Sequence, residues 1–197
     1  SIGVGREDGK EKGEYSPILY DTELLKSLEN ATYWLSDTPD KISVGWDAAL
    51  ERICTYALFE DLKTKKQFWV FNTHFDHMGV LAREKSAALI VSKIKELNTE
   101  NLPVVLMGDL NLKPDENPIQ FLKKELVDGQ SITKKTFYGP TGTFNGFEHD
   151  RNLTDRIDYI FVQNFAVESY IHIDDRMENN KHISDHLPVF AKLIIKN

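Results

Sequence analysis

Apolar positions in this chain fall in short runs separated by polar, glycine-bearing stretches. The densest run, Val104-Val105-Leu106-Met107, is opened by Pro103 and closed by Gly108, which predicts a strand buried on both faces. Arg52 to Phe59 and Gln67 to Asn72 are two further runs joined by the charged stretch Asp61 to Lys66, the pattern of a hairpin. Between the hairpin and the dense run, Ala87, Ile90, Val91, Ile94 and Leu97 recur at the spacing of one helix face, predicting a helix over Leu81 to Asn98. Asn117-Pro118 predicts a second helix, with Asn117 as its cap and Pro118 in the first turn, running to about Leu126. Ser16 to Tyr20, Arg156 to Val162, Val167 to Ile173 and Leu187 to Ile195 read as strands, and Leu24 to Leu28 and Ala31 to Leu35 as a short pair around Glu29-Asn30. Residues 5–15, 36–48 and 129–155 are long polar loops, and ordered loops of that length usually carry function.

The chain has 197 residues, which predicts one domain with a real core, spanning residues 1–197. A net charge of −7 disfavours nonspecific binding to a phosphate backbone and suits divalent cations. The single cysteine, Cys54, lies in an apolar run and is expected to be a small buried hydrophobe, with no disulfide framework possible within the chain. No apolar stretch reaches the roughly 18 residues of a membrane span. The chain opens at Ser1 rather than at a methionine, the mark of a processed chain or a fragment, so both a cytoplasmic and an exported soluble protein stay open.

Polar groups gather at the ends of the apolar runs: His74, Asp76 and His77; Asp109 and Asn111; Asp158; and Asp185-His186. Asp158 is flanked by large apolar residues, and a buried carboxylate must be paired or bind a cation; the ordinary alternative to a site role is a salt bridge to Arg156 or another basic group. His149, His172 and His182 read as ordinary hydrogen-bonded histidines. Zinc hydrolysis is disfavoured by the scattered histidines, and acyl transfer by the absence of a G-x-S-x-G elbow around Ser184. Magnesium-assisted phosphoryl transfer wants hard oxygen ligands, a water-orienting carboxylate and donors for developing charge, and Asp, Asn and His supply that set.

The motifs Asn72-Thr73-His74-Phe75-Asp76-His77, Gly108-Asp109-Leu110-Asn111, Arg156-Ile157-Asp158-Tyr159-Ile160 and Ser184-Asp185-His186-Leu187-Pro188-Val189 resemble the endonuclease/exonuclease/phosphatase (DNase I-like) superfamily, in its order and spacing. The stretch from Gly5 to Pro17 resembles a bacterial branch of it. The resemblance implies an α/β (α+β) fold, a four-layered sandwich of two packed mixed sheets with outer helices. It implies that Asp109 orients or deprotonates the attacking water and that Asn111 holds that water and the phosphate. His186 would contact the scissile phosphate, oriented by Asp158, and His74 would donate to a phosphate oxygen. Asp185 would bind the metal, Mg2+ with Mn2+ or Ca2+ as substitutes. Arg52, Asp76 and Tyr15 would contact substrate. The expected substrate is a phosphoester: a small phosphoester, a sugar phosphate, a lipid headgroup or a short nucleic acid. The family's metal-binding Glu and its N-terminal strands have no counterpart before Gly5, and Glu7, Glu11 and Glu14 are poor substitutes. A catalytically silent domain that binds ligands in the same cleft is therefore the alternative expectation. Oligomeric state is left open by the sequence.

Overall fold

The computed structural model describes residues 1–196. The fold is of the α/β class, with eight strands and two α-helices among the described residues. The chain divides into two compact units, residues 1–111 and the residues from Leu112 onward, each taken in turn.

The first unit is a mixed sheet of β1 (Leu25–Trp34), β2 (Ile53–Asp61), β3 (Gln67–His74) and β4 (Val104–Asp109), in that spatial order. The β2–β3 hairpin is antiparallel, and its register brings Tyr56 opposite Phe71 and Phe59 opposite Phe68. Their ring centroids lie 5.6 and 5.8 Å apart, the cross-strand aromatic contact that fixes a hairpin. β3 and β4 run parallel, a pairing that needs a long crossover, and α1 (Val80–Leu97) supplies it. The α1 stripe Ala87, Ile90, Val91 and Ile94 is buried as its spacing requires; Leu97 is only half-buried. α1 starts after Gly79, which has no side chain to cap it. Asp47, from the loop 36–48, accepts hydrogen bonds from Leu81 N and Ala82 N instead.

Two sequence expectations change here. Ser16 to Tyr20 is not a strand; only the isolated bridge Ile2–Ile18 survives. The two short runs around Glu29-Asn30 are one strand, β1, with a bulge between Ser27 and Glu29. A bulge shifts the alternation by one residue, which is why the apolar pattern looks broken there. Cys54 is fully buried and its thiol is pushed up to about 12 by burial.

The second unit contains α2 (Asn117–Glu125), β5 (Val127–Asp128), a short 3-10 helix (Gly129–Ile132), β6 (Asp158–Gln163), β7 (Phe165–His172) and β8 (Val189–Ile195). β5 pairs antiparallel with β6, and β7 with β8. Asn117 is already helical rather than a cap; Glu116 takes the cap position without a side-chain bond. The anchor of this unit is Arg156, buried and doubly hydrogen-bonded to Asp128 at 2.9 and 2.6 Å, with its guanidinium 4.4 Å from the centre of the Tyr159 ring. Tyr159 in turn donates to Leu112 O at 2.8 Å. Arg156 is thus committed to Asp128, which removes it as the salt-bridge partner that the strand pattern allowed for Asp158.

Candidate functional site

The parallel register of β3 and β4 matches His74 with Asp109 at the strand ends. His74 Nε2 lies 3.3 Å from Asp109 Oδ2. Gly108 makes this approach possible. Its φ of +137° is foreign to other residues, and a Cβ there would sit 1.8 Å from Thr73 O. β4 ends at Asp109, and Asn111 adopts a left-handed conformation with φ of 50°. Asp109 and Asn111 therefore do not share an extended face. They are brought together by a turn, in which Asn111 N donates to Asp109 Oδ1 at 2.8 Å and Asn111 Nδ2 to Phe75 O at 3.0 Å.

Beside this pair sits Arg52, 4% exposed. It donates through Nε to Asp76 Oδ1 at 3.3 Å and through Nη2 to His77 Nδ1 at 3.1 Å. Asp76, also buried, accepts from Met78 N and Gly79 N. Burial alone would raise the Asp76 pKa, but the amides of Gly79 and Met78 and the Arg52 guanidinium outweigh it and hold the carboxyl well below the usual range. Asp76 is occupied in holding Arg52 and the turn into α1. The loop 5–15 completes the surroundings. Tyr15 donates to Lys10 O at 2.9 Å and remains substantially exposed.

In the second unit, His186 Nδ1 lies 2.8 Å from Asp158 Oδ2. A carboxylate at that distance accepts a hydrogen bond from Nδ1–H and so fixes the ring and its tautomer. Asp158 is placed by the buried Thr143, whose Oγ1 accepts from both Ile157 N and Asp158 N at 3.1 Å. The turn carrying Asp185-His186 is held by the same loop. Asn145, fully buried, donates through Nδ2 to Ser184 O at 2.9 Å and through its amide to Asp185 O at 2.8 Å. Leu187 N donates to Thr143 O, and the Phe144 ring packs 5.0 Å from His186. Thr143, Phe144 and Asn145 escaped the sequence reading because a polar loop has no periodicity; the only available signal was the run Thr141-Gly142-Thr143-Phe144-Asn145 inside it. Asp185 is half-exposed and accepts from Ser184 Oγ at 3.4 Å. His172 is buried, its Nδ1 2.8 Å from Pro140 O, and burial lowers its pKa. His149 and His182 face each other at 3.3 Å, with His182 Nε2 2.9 Å from Asp174.

Asp185, the residue expected to hold a metal, is a carboxylate oxygen donor, and that chemistry fits a hard divalent cation rather than a thiophilic one. Among the described residues, no helix is long and apolar enough to cross a membrane.

Comparison with known proteins agrees with these motifs. The chain is 39% identical to a mannosyl-6-phosphatase of Bacteroides thetaiotaomicron, with a TM-score of 0.93 over 98% of this chain and 76% of that one. An endonuclease/exonuclease/phosphatase of Bacteroides vulgatus is 35% identical, with a TM-score of 0.91 over 99% of this chain and 76% of that one. An uncharacterized protein of Acanthamoeba polyphaga mimivirus is 31% identical over 188 residues, 87% of this chain and 67% of that one. The Endonuclease/Exonuclease/phosphatase family matches residues 20–186, and the chain belongs to that family.

Proposed function

We propose that the protein is a divalent-metal-dependent phosphoester hydrolase that cleaves a small phosphoester, a sugar phosphate foremost, by in-line attack of an activated water. The observation that carries the proposal is the pairing of each site histidine with a carboxylate, His74 with Asp109 and His186 with Asp158. Such pairs fix ring orientation and proton position, which general acid–base chemistry requires. The 39% identity to a mannosyl-6-phosphatase supports the sugar-phosphate class.

In this reading Asp109 orients the water and accepts its proton, and Asn111 steadies water and phosphate. His186, held by Asp158, and His74 donate to phosphate oxygens as charge develops. Arg52 adds a fixed positive charge, Asp76 positions it, and Tyr15 lies on the rim. Asp185 would hold the metal, which supplies Lewis-acid stabilisation of the phosphate when bound.

The test is hydrolysis of mannose 6-phosphate and of bis-p-nitrophenyl phosphate, with Mg2+, Mn2+ or Ca2+ and with chelator. The expected result is metal-dependent turnover that falls on the order of a thousandfold in Asp109→Asn and in His186→Ala, with unchanged thermal melts. Ligand binding without turnover under every metal would instead establish a silent binding domain.

A further inference from the structure

The loop 5–15 is tightly built for a polar stretch. Arg6 N donates to Glu14 O, Glu7 N to Lys12 O and Gly5 N to Lys10 O, while Asp8 accepts from Lys10 N and Lys12 N. A Cβ on Gly5 would sit 2.1 Å from Lys12 O, so the two arms of the loop touch only because residue 5 is glycine. The backbone oxygen of Arg6 accepts from Trp34 Nε1 at 2.7 Å, which ties the loop to β1.

This architecture delivers one carboxylate to one place. Glu14 Oε2 is ion-paired with Arg6 Nη1, and lies 3.8 Å from Arg52 Nη1 and 3.8 Å from His74 Nδ1. Two guanidinium groups and one imidazole nitrogen, from the loop, the start of β2 and the end of β3, therefore converge on a single oxygen. They line one small cleft together with Tyr15, Ser16 and Ile53. The two sides of the cluster differ in burial. Arg6 and Arg52 are 9% and 4% exposed, whereas the Glu14 side chain is 59% exposed. The cations are fixed by the fold, and the anion sits on a side chain free to rotate into water.

The hydrogen bonding is also incomplete. Arg52 has its Nε and Nη2 engaged by Asp76 and His77, while its buried Nη1 makes no hydrogen bond. A buried guanidinium nitrogen left this way is costly, and such a group points to a ligand. The Glu14 carboxylate does not meet the need, because 3.8 Å is beyond hydrogen-bond reach. A phosphate carries more oxygens in a tetrahedral array and more charge, and can engage several donors at once.

We propose that Glu14 is an internal competitor: its carboxylate occupies an oxyanion subsite formed by Arg6, Arg52 and His74, and the phosphate of the substrate displaces it. The inference rests on the phosphoester reading and narrows it. Because displacement exchanges one negative charge for another, a dianionic phosphomonoester gains more from the subsite than a monoanionic phosphodiester does. The site is thereby set for monoesters.

Binding of inorganic phosphate and of dimethyl phosphate to the full chain, followed by calorimetry in chelator, tests this without turnover or metal. The wild-type protein is expected to bind phosphate more tightly than dimethyl phosphate. Glu14→Gln is expected to tighten phosphate binding about fivefold or more, the equivalent of one partly exposed ion pair. Adding Arg6→Met to that variant is expected to cancel the gain. Should Glu14→Gln fold poorly, Glu14→Asp, which withdraws the carboxylate by one methylene, is expected to tighten phosphate binding as well. Unchanged or weaker phosphate binding in a folded Glu14 variant would overturn the proposal and make Glu14 a positioning residue for Arg6. Equal binding of the two anions would overturn the preference for monoesters. Either result would leave the hydrolase reading to its own test.

Discussion

The two units position a histidine–carboxylate pair by different means. In the first, the pair is set by strand register. His74 and Asp109 are matched residues at the ends of parallel strands, and the approach depends on one backbone feature, Gly108. In the second, loops do the same work. Asp158 opens β6, His186 lies in the turn before β8, and the segment 141–147 holds both through the side chains of Thr143 and Asn145. A register-built pair is as rigid as its sheet. A loop-built pair is as rigid as a few buried hydrogen bonds, so the two halves should fail differently when perturbed.

The largest effect is expected at Gly108. Gly108→Ala forces a Cβ against Thr73 O at a φ that other residues avoid, and should destabilise the protein by about 3 kcal/mol or more. Chemical denaturation measures this directly; a loss under about 1 kcal/mol would mean that the register tolerates local separation of β3 from β4.

Asn145→Ala comes next. It removes the donor to Ser184 O and the acceptor for Phe147 N, two part-buried hydrogen bonds that hold the turn, at a cost of about 1 kcal/mol. Turnover should fall about tenfold beyond the stability loss, because the Asp185-His186 turn loses its support. Measuring kcat at a temperature where the variant is fully folded separates the two effects. Unchanged kcat would show that backbone bonds alone hold the turn.

The smallest effect distinguishes the units by pH. Asp76 has a folded pKa below its unfolded one, so it contributes stability above the ordinary carboxylate range, and that stability is lost as pH falls below about 4. Its share should be on the order of 1 kcal/mol, and Asp76→Asn should flatten the acid limb of the stability curve. An acid limb unaltered by the substitution would place the acid-sensitive groups elsewhere.

Much of the register-built half was legible in the chain. The apolar run from Val104 to Met107, its closing Gly108 and the helix face from Ala87 to Ile94 fix β4 and α1, while the parallel pairing of β3 with β4 is a fact of the fold. Gly-Asp-x-Asn permits both an extended end and a turn, and the left-handed conformation of Asn111 decides for the turn. Partner choice was legible least of all. Arg156 stands two residues before Asp158, yet it pairs with Asp128, 28 positions away, where the Tyr159 ring receives its guanidinium. That leaves Asp158 for His186.

By itself the sequence determined most of the strands, both helices and which polar residues stand at strand ends, because apolar periodicity and the glycine and proline stops are local properties of the chain, and the α/β class came with the family resemblance that its motifs carry. The tertiary structure decided the rest: which carboxylate each histidine meets, that Asp47 caps α1, that Thr143 and Asn145 carry a site loop, and that Glu14 sits among Arg6, Arg52 and His74. Those contacts join residues far apart in the chain, and an ion pair or a loop hydrogen bond leaves no periodic trace in the segments that make it.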